Sequence, residues 1–485
     1  MVIAILLCCT TRSWCNTIVY PWRSSSAIRT PGETLAVLYD GNDLEEMQDL
    51  ELIGPYSHVK LDILDWQYGS FVYDEISHDP NTPIATTSNL QAATNWKIIT
   101  RIPEGTTRDL YDLRLTTSLA TTTSPRSVQV IKEYKTQYTF VHITDTHVGR
   151  EFYDGYGNEL QYLEKIIEVV NIIAPEFVLC TGDCIMNYSN PDHNETFPLA
   201  DELWSNFYEG AQGHAGIKSF DVPTFVSPGN HDYRLPRETA ISQWHRYCGL
   251  RQQGFRYGDG AYILLDDYLG GYSELDDWPT LQTDWAGSWL NTLGDYSFLV
   301  LGIHDPASLP LGFCNTYGVN LALCGHEHKN MTRRSGTTPT QLAMTGSASY
   351  FNSDSRFRDV GWFRIMTVDG NSVTTEQPVQ YGNPSTGEMN FTLEYANSNN
   401  GSACENTATI ANGFEMNVPE CRIRFVMAPG EYTIDNGTIE QAFHQETVSI
   451  YDVRVDAPAG IKTRQGRGSY VIVKTPTQVN ISPKI

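Results

Sequence analysis

The 485-residue sequence predicts a multidomain protein in which an α/β domain lies between two all-β domains. From about residue 17 to 135, apolar and polar residues alternate in short runs that Gly, Pro, Asn and Asp separate, which is typical of a β-sandwich. From about 136 to 380, buried-strand runs alternate with helical stretches, the pattern of an α/β domain. From about 381 to 485 the alternating pattern returns and predicts a second, smaller β-domain.

Individual segments support each assignment. In the first region, alternation predicts strands in TLAVLYDGND, SHVKLDILDW and WKIITRIPEG. In the middle region, residues 158–173 predict a helix, because their apolar residues recur at helical spacing along NELQYLEKIIEVVNII. In the last region, alternation predicts strands in CRIRFVM, VSIYDVRV and SYVIVK.

Composition limits the classes of function. The chain has 33 basic and 57 acidic residues, a net charge of −24, which argues against general binding to a nucleic-acid backbone. No stretch offers the roughly 18 uninterrupted apolar residues that a transmembrane helix needs. Residues 1–16 begin with the apolar run MVIAILLCC, which we interpret as an export signal, with a buried strand as the alternative. We therefore expect a secreted or cell-surface protein, in which Cys404 and Cys421 can form a disulfide.

Five segments of the middle region each end an apolar run with metal-binding residues. Because the carboxyl ends of strands meet at one edge of an α/β sheet, we expect the polar side chains to converge there. The segments YTFVHITDTH, FVLCTGD, TFVSPGNHD, FLVLGIH and LALCGHEH supply Asp145, His147, Asp183, Asn230, His231, Asp232, His304, His326 and His328. Imidazoles with carboxylates suit zinc, iron or manganese. Cys180 and Cys184 flank Asp183, and we interpret them as small buried residues.

This ordered set resembles the calcineurin-like metallophosphoesterase superfamily over roughly residues 136–350. The resemblance implies two mixed β-sheets packed together between helices, a four-layer α/β/β/α core. It also implies two divalent or trivalent transition-metal ions (Mn, Zn or Fe), with Asp183 bridging them. The remaining ligands of the first ion would be Asp145, His147 and His328, and those of the second would be Asn230, His304 and His326.

The activity that the resemblance implies is hydrolysis of phosphate mono- or diesters by attack of a metal-bridging hydroxide. In the family, the histidine at the position of His231 lies beside the leaving group, where a protonated imidazole can donate to the departing alkoxide. We expect Asp232 to orient His231 and raise its pKa, with helix capping as the alternative. Arg150 and Arg234 are candidates for contacting the substrate phosphate, with surface ion pairs as the alternative. No motif context assigns a site role to His142, His214 and His245.

The sequence departs from the purple acid phosphatases of this superfamily. Those enzymes have a tyrosine ligand where this chain has Met186, and they have no histidine at the position of His147. The Asp-x-His branches match instead, and a phosphomonoesterase or phosphodiesterase is the first hypothesis. The alternative is a surface-layer or filament-forming structural protein built around an inherited phosphoesterase core, because the β-rich flanks also suit surface attachment or self-assembly. A third hypothesis, a set of sugar- or polymer-binding modules, rests on the aromatic-rich β-domains.

Overall fold

The computed structural model describes residues 16–72, 93–149, 159–186, 200–232, 243–244, 246–266, 278–334, 339–349, 360–384, 386–465 and 470–484. Nearly all of the predicted signal segment lies outside these residues, as do Arg150, Arg234 and His245. Within the described ranges, no helix combines the length and apolar character needed to cross a bilayer.

The described residues between 17 and 130 form eight strands that follow one hydrogen-bonded path, in the order β1-β3-β6-β5-β4-β7-β8-β2. Their bounds are β1 (Thr17–Tyr20), β2 (Ala27–Arg29), β3 (Thr34–Asp40), β4 (Met47–Ile53), β5 (His58–Val72), β6 (Ala93–Arg101), β7 (Asp109–Thr117) and β8 (Thr121–Val130). β5 pairs with β4 through its first residues and with β6 through its later ones, so it joins the two halves of the path. The three segments predicted to be strands in this region are confirmed as β3, β5 and β6.

Two sheets form the centre of the molecule. The first has the order β13-β10-β9-β20-β21 with β22 beside β20, and the second has the order β14-β15-β16-β17-β19-β18. Strands of the first sheet are β9 (Gln137–Ile143), β10 (Val178–Thr181), β13 (Thr224–Ser227), β20 (Trp362–Asp369), β21 (Ser372–Thr375) and β22 (Val379–Gln380). Strands of the second are β14 (Gln253–Tyr257), β15 (Gly260–Leu264), β16 (Phe298–Gly302), β17 (Leu321–Cys324), β18 (Met331–Arg334) and β19 (Gln341–Met344). A short hairpin, β11 (Gly210–Ala211) with β12 (His214–Ala215), lies outside both sheets.

The described helices share buried clusters with the two sheets. The described helices are α1 (Glu159–Ile173), α2 (Ala200–Glu209), α3 (Trp278–Leu293) and α4 (Leu311–Tyr317). An aromatic cluster joins the two sheets, and in it Phe225 and Phe255 stack with ring centroids 3.8 Å apart. A second cluster joins α1 and α2 to the first sheet, and a third joins α3 and α4 to the second sheet. The helix predicted at 158–173 is confirmed to within one residue.

The last region is again made of strands. They are β23 (Gly382–Asn383), β24 (Glu388–Met389), β25 (Phe391–Tyr395), β26 (Asn406–Asn412), β27 (Val418–Met427), β28 (Tyr432–Asp435), β29 (Thr438–His444), β30 (Ser449–Ala457), β31 (Ile461–Arg464), β32 (Tyr470–Val473) and β33 (Thr475–Pro483). One sheet has the order β25-β26-β33-β28 and another has the order β27-β30-β29. Their inward residues share one buried cluster with α1, so this region packs on the helical side of the central sheets. The boundaries at 135/136 and 380/381 stay predictions.

The predicted Cys404–Cys421 disulfide is wrong, because both cysteines are free. Cys421 lies on β27, where alternate residues face the core, and its Sγ lies 3.5 Å from the carbonyl of Val418. Cys404 lies between β25 and β26 and is exposed. Closeness in sequence brought the two residues to the same region, but their side chains point into different environments.

A buried carboxylate, Glu176, joins the three regions. Its Oε1 lies 3.0 Å from Nζ of Lys135 and 3.5 Å from Nη2 of Arg108, and its Oε2 accepts a 2.8 Å hydrogen bond from Tyr257. Arg108 also pairs with Glu440 of β29, which carries the network into the last region. Burial alone would raise the pKa of Glu176, but Arg108 and Lys135 hold it at about 2.

Replacing Glu176 by Gln is expected to lower the free energy of unfolding at pH 7 by about 3 kcal/mol, because it removes the buried negative charge that Arg108 and Lys135 both face. The pKa of Glu176 is about 2 in the folded protein and near its ordinary value of 4.5 in the unfolded chain. This stabilisation is therefore present above pH 4.5 and is lost as the pH falls toward 2. Urea titrations of the wild-type protein and the Glu176→Gln variant should be made from pH 7 to pH 2.5. The difference between their free energies of unfolding should become smaller as the pH falls.

Glu168→Gln is the matched control. Glu168 pairs with Lys165 at 2.7 Å on the exposed face of α1. We expect this change to alter the free energy of unfolding by about 0.5 kcal/mol or less, because solvent screens the pair. Equal effects of the two substitutions, or a difference that does not narrow in acid, would contradict the role assigned to Glu176.

Candidate metal centre

The motifs that carry the predicted metal ligands follow five strands that point to one edge of the central sheets. Asp145 and His147 follow β9, and Asp183 follows β10. Residues 230–232 follow β13, which runs parallel to β10 as β10 does to β9. His304 follows β16, and residues 326–328 follow β17, the parallel neighbour of β16. The structure thus brings the seven sequence-predicted ligands to one place, four from the first sheet and three from the second.

A first group of ligand atoms surrounds one point. Nε2 of His328 lies 3.1 Å from Oδ1 of Asp145, and Nε2 of His147 lies 3.5 Å from the same oxygen. The two imidazole Nε2 atoms are 3.2 Å apart. Nε2 of His147 also lies 3.5 Å from Oδ2 of Asp183. This group matches the first predicted ligand set.

A second group shares the same oxygen of Asp183. Nε2 of His304 lies 3.2 Å from Oδ2 of Asp183 and 3.2 Å from Oδ1 of Asn230. Nδ1 of His326 lies 3.0 Å from Oδ1 of Asn230. Asp183 Oδ2 therefore faces a histidine from each group, which is the position that a bridging ligand would occupy.

The donors fit transition-metal ions. Ligand atoms about 2.0–2.2 Å from one ion lie about 3–3.6 Å from each other, which is the range of the separations described above. Oδ1 of Asp145 is buried and makes no hydrogen bond to any described residue, although two imidazole nitrogens face it. Such an oxygen is costly to bury unless a cation neutralises it. Among the described residues, three sets of acidic, histidine or cysteine side chains have ligand atoms that all lie within 4.8 Å of one another, and we call these sets the metal-type groups. They are Asp145–His147–His328, His147–Asp183–His231 and Asp183–His304–His326.

Five of the proposed ligands have left-handed backbone conformations. Their φ angles are +55° for Asp145, +46° for His147, +52° for Asp183, +67° for His326 and +51° for His328. Such angles are uncommon outside glycine, cost of order 1–3 kcal/mol each, and cluster at functional sites. The surrounding fold therefore holds these side chains in place at a cost in backbone energy.

Two glycines allow the ligand loops to touch. Gly182 has φ +85°, and a Cβ added to it would lie 2.6 Å from the backbone nitrogen of Gly229. A Cβ on Gly229 would collide with the backbone nitrogen of Asp183. Larger residues at either position would push Asp183 away from Asn230, so the glycines of the Gly-Asp and Gly-Asn-His-Asp motifs are needed for this close approach.

Hydrogen bonds orient the ligands. Nδ1 of His304 donates to the carbonyl of Thr181 at 2.7 Å, which leaves Nε2 facing Asp183. Oδ2 of Asp145 accepts from the Thr144 hydroxyl at 2.9 Å and from the backbone N–H of His326 at 3.1 Å. An imidazole fixed in this way presents one nitrogen with the correct tautomer to a metal.

The electrostatics favour the protonation states that metal ligands need. Burial alone would raise the pKa of Asp145, but His328 and His147 lower it well below its ordinary value. His304 and His147 likewise outweigh burial at Asp183 and hold its pKa well below the ordinary value. Burial lowers the pKa of His147, which keeps a lone pair available. Ionised carboxylates and neutral imidazoles are the forms that bind metals.

His231 lies beside the first ligand group. Its ring centroid is 4.7 Å from that of His147, and its backbone N–H donates to Oδ1 of Asp183 at 2.7 Å. The side chain is partly exposed, whereas Asp145, His147, Asp183 and His304 are at most 1% exposed. The centre therefore has a buried floor and an open side lined by His231.

Asp232 holds the ligand loops together. Its Oδ1 accepts from the backbone N–H groups of Cys184 at 3.0 Å and Ile185 at 3.1 Å, and its Oδ2 accepts from that of Gly229 at 2.8 Å. Burial and the charge of Asp183 raise the pKa of Asp232 to about 8. These contacts tie the loop after β10 to the loop after β13, and none of the three N–H groups belongs to a described helix, so helix capping by Asp232 stays a prediction. Its predicted action on the imidazole of His231 remains a prediction.

Some residues at the centre carried no motif signal. Met186 occupies the tyrosine position of the purple acid phosphatases, and its Sδ lies 3.1 Å from Nδ1 of His147. Thr181 and Thr144 precede the ligand motifs and look like ordinary strand-end residues, so only their contacts identify them. Cys180 and Cys184 are buried and free, as interpreted from the sequence, and no cysteine belongs to the metal-type groups formed by the described residues.

Residues 138–330 match the family described as calcineurin-like phosphoesterase. An uncharacterized metallophosphoesterase of Bacillus subtilis (strain 168), YkuE, is 29% identical over 200 residues, which are 39% of this chain and 58% of the relative. The match thus spans a little over half the length of that relative.

Three solved structures illustrate the weak structural similarity to known proteins. The sulfate thiohydrolase SoxB of Thermus thermophilus has a TM-score of 0.31 and 13% identity, covering 49% of this chain and 56% of that one. Phosphopantetheinyl hydrolase of Mycobacterium tuberculosis has a TM-score of 0.25 and 13% identity, covering 44% and 91%. A Vps29 single mutant of Entamoeba histolytica has a TM-score of 0.24 and 14% identity, covering 57% and 92%. These scores are too low to support an argument about function.

Proposed function

We propose that the chain, whose residues 138–330 match the family described as calcineurin-like phosphoesterase, hydrolyses phosphate mono- or diesters at a two-metal centre. The observation that carries the proposal is the shared oxygen of Asp183, which faces His147 at 3.5 Å and His304 at 3.2 Å. One ion would be held by Asp145, His147, Asp183 and His328. The other would be held by Asp183, Asn230, His304 and His326.

The two ions, of manganese, zinc or iron, would supply Lewis acidity that lowers the pKa of a water molecule and offsets the charge of the phosphate. The protein's own residues hold the ions and orient the substrate. The buried floor of Asp145, Asp183 and His304 excludes bulk solvent from one side, and the exposed His326 and partly exposed His328 leave the other side open to substrate. We infer that His231, on the open side, donates a proton to the leaving oxygen.

Finer features belong to the same proposal. We expect a four-layer α/β/β/α core at 136–380, a β-sandwich before it and a β-domain after it. A secreted or cell-surface location remains an expectation from residues 1–16. The described residues offer no observation that favours the surface-layer or filament alternative, nor the glycan-binding one.

The purified protein is expected to contain about two equivalents of transition metal per chain and to hydrolyse nitrophenyl phosphate esters. Elemental analysis of protein produced with Mn, Zn and Fe available measures the first quantity. A panel of nitrophenyl monoesters, nitrophenyl diesters and nucleotides, assayed with each metal, measures the second and separates monoesterase from diesterase. Chelation should abolish turnover, and returning the metal should restore it.

His214→Ala is the matched control for metal content. His214 pairs with Glu164 at 2.9 Å and lies outside the metal-type groups formed by the described residues. This variant should retain both equivalents and full turnover. A wild-type protein that takes up no transition metal under these conditions would contradict the proposed function.

A further inference from the structure

We propose that His142 is a positioning residue that holds His304 in place through Thr181. The inference rests on the proposed function and deepens it, because it concerns how one half of the metal centre is oriented. His142 lies on β9, three residues before Asp145, and has no exposed surface.

His142 is hydrogen bonded at both ring nitrogens. Its Nδ1 lies 2.7 Å from the hydroxyl of Thr345, and its Nε2 lies 2.8 Å from the hydroxyl of Thr181. A neutral imidazole can donate through one nitrogen and accept through the other, so both contacts can form without a charge. Burial, and then the neighbouring Arg364, lower the pKa of His142 to about 3, which supports the neutral form.

Thr181 passes the constraint to His304. It is the last residue of β10, and the Nε2 contact of His142 fixes its side chain. Its carbonyl accepts a 2.7 Å hydrogen bond from Nδ1 of His304 and a 3.0 Å hydrogen bond from the hydroxyl of Thr144. A rotation of this residue would therefore turn the ring of His304 and shift its Nε2 away from Asp183 Oδ2.

His142 lies on the first sheet, but its two hydrogen bonds reach residues of both sheets. Thr181 ends a strand of the first sheet, and Thr345 directly follows β19 of the second sheet. His304 belongs to the second sheet, whereas Asp183 belongs to the first. The Thr345–His142–Thr181 chain of hydrogen bonds therefore ties together the edges that carry the two halves of the centre.

A purely space-filling role makes a different prediction. A buried polar residue that only satisfies its neighbours should tolerate any side chain of similar size and polarity, with loss of stability alone. A positioning role through Thr181 depends on the nitrogen at the far end of the ring. The amide of Gln reaches about as far as Nε2, whereas the amide of Asn reaches only about as far as Nδ1.

The test compares His142→Asn with His142→Gln in the full chain. Titration calorimetry with Mn²⁺ and with Zn²⁺ measures the affinity of each ion, and turnover of bis(p-nitrophenyl) phosphate gives kcat and KM. We expect His142→Asn to lower the affinity for one of the two ions about 10–100-fold and to lower kcat with little change in KM. His142→Gln should stay within about threefold of wild type, and the two metal-free variants should melt at similar temperatures.

Thr340→Val is the control for loss of a buried threonine hydrogen bond. Thr340 is buried and donates to the carbonyl of Val319 at 2.8 Å, just before β19 at the end of the strand away from the centre. It should lower stability without changing metal affinity. Equal metal affinities for the Asn and Gln variants, whether both normal or both weak, would overturn the inference.

If neither His142 variant folds, Thr181→Val and Thr345→Val make the same comparison. The first breaks the contact that leads to His304, and the second breaks the contact on the other ring nitrogen. If one metal ion binds more weakly to Thr181→Val than to Thr345→Val, the inference is supported. Equal metal affinities of the two variants overturn it. A wild-type protein without metal or turnover would instead defeat the proposed function, so the two failures are distinguishable.

Discussion

Replacing Asp183 by Asn is expected to remove both metal ions and to reduce turnover about 10³-fold or more. Oδ2 of Asp183 faces Nε2 of His147 and Nε2 of His304, so one oxygen serves both ligand groups. Asn keeps the shape but carries no charge, and it offers one oxygen where the carboxylate offers two. Loss of several kcal/mol of charge stabilisation corresponds to at least this change in rate. Elemental analysis and steady-state kinetics measure the two effects.

Asp221→Asn serves as the matched control. Asp221 pairs with Arg422 at 2.7 Å and with Arg126 at 3.4 Å, and it lies outside the metal-type groups. It should keep both ions and normal kinetics. If Asp183→Asn loses only one ion, Asp183 is a ligand but not a bridge. Retention of both ions would exclude it as a ligand.

Replacing His231 by Ala is expected to leave both metal ions bound and to lower kcat about 10²–10⁴-fold. The backbone N–H of His231 holds Asp183, and alanine keeps that hydrogen bond. The imidazole, on the open side of the centre, is therefore the only part of the residue that is lost. The loss should be larger for alkyl phosphate esters than for nitrophenyl esters, because nitrophenolate leaves without needing a proton.

The structure also defines the competing role for His231. A ligand atom of His231 lies within 4.8 Å of ligand atoms of His147 and Asp183, which is near enough to approach the first ion. Loss of a metal equivalent in His231→Ala, together with equal rate losses for good and poor leaving groups, would assign it to metal binding. Retained metal with a leaving-group-dependent loss would assign it to proton donation.

Much of the centre could be predicted because its signals are local. A polar residue directly after a fully buried run must lie at the end of a central strand, and FVLCTGD and LALCGHEH both have this form. The helix at 158–173 was predicted to within one residue because its apolar spacing is long and regular. The side chains that the resemblance grouped around Asp183 lie close together in the structure, and their roles as metal ligands stay predictions.

Contacts between distant segments were harder to predict. The disulfide prediction failed because spacing along the chain does not show that Cys421 faces the core while Cys404 faces solvent. The Glu176 network joins residues from positions 108 to 454, and nothing in the local sequence marks them as partners. His142 was assigned no site role, since its two threonine partners lie 39 and 203 residues away.

Residue order and spacing are therefore sufficient to say which side chains reach the carboxyl edge of the sheets, because strand period and burial are properties of short segments. They do not say which of those side chains face the same point. That depends on how the sheet carrying Asp183 packs against the sheet carrying His304, and this packing is set by the whole aromatic core between them. The shared oxygen of Asp183 and the hydrogen bonds of His142 exist only once that core has formed.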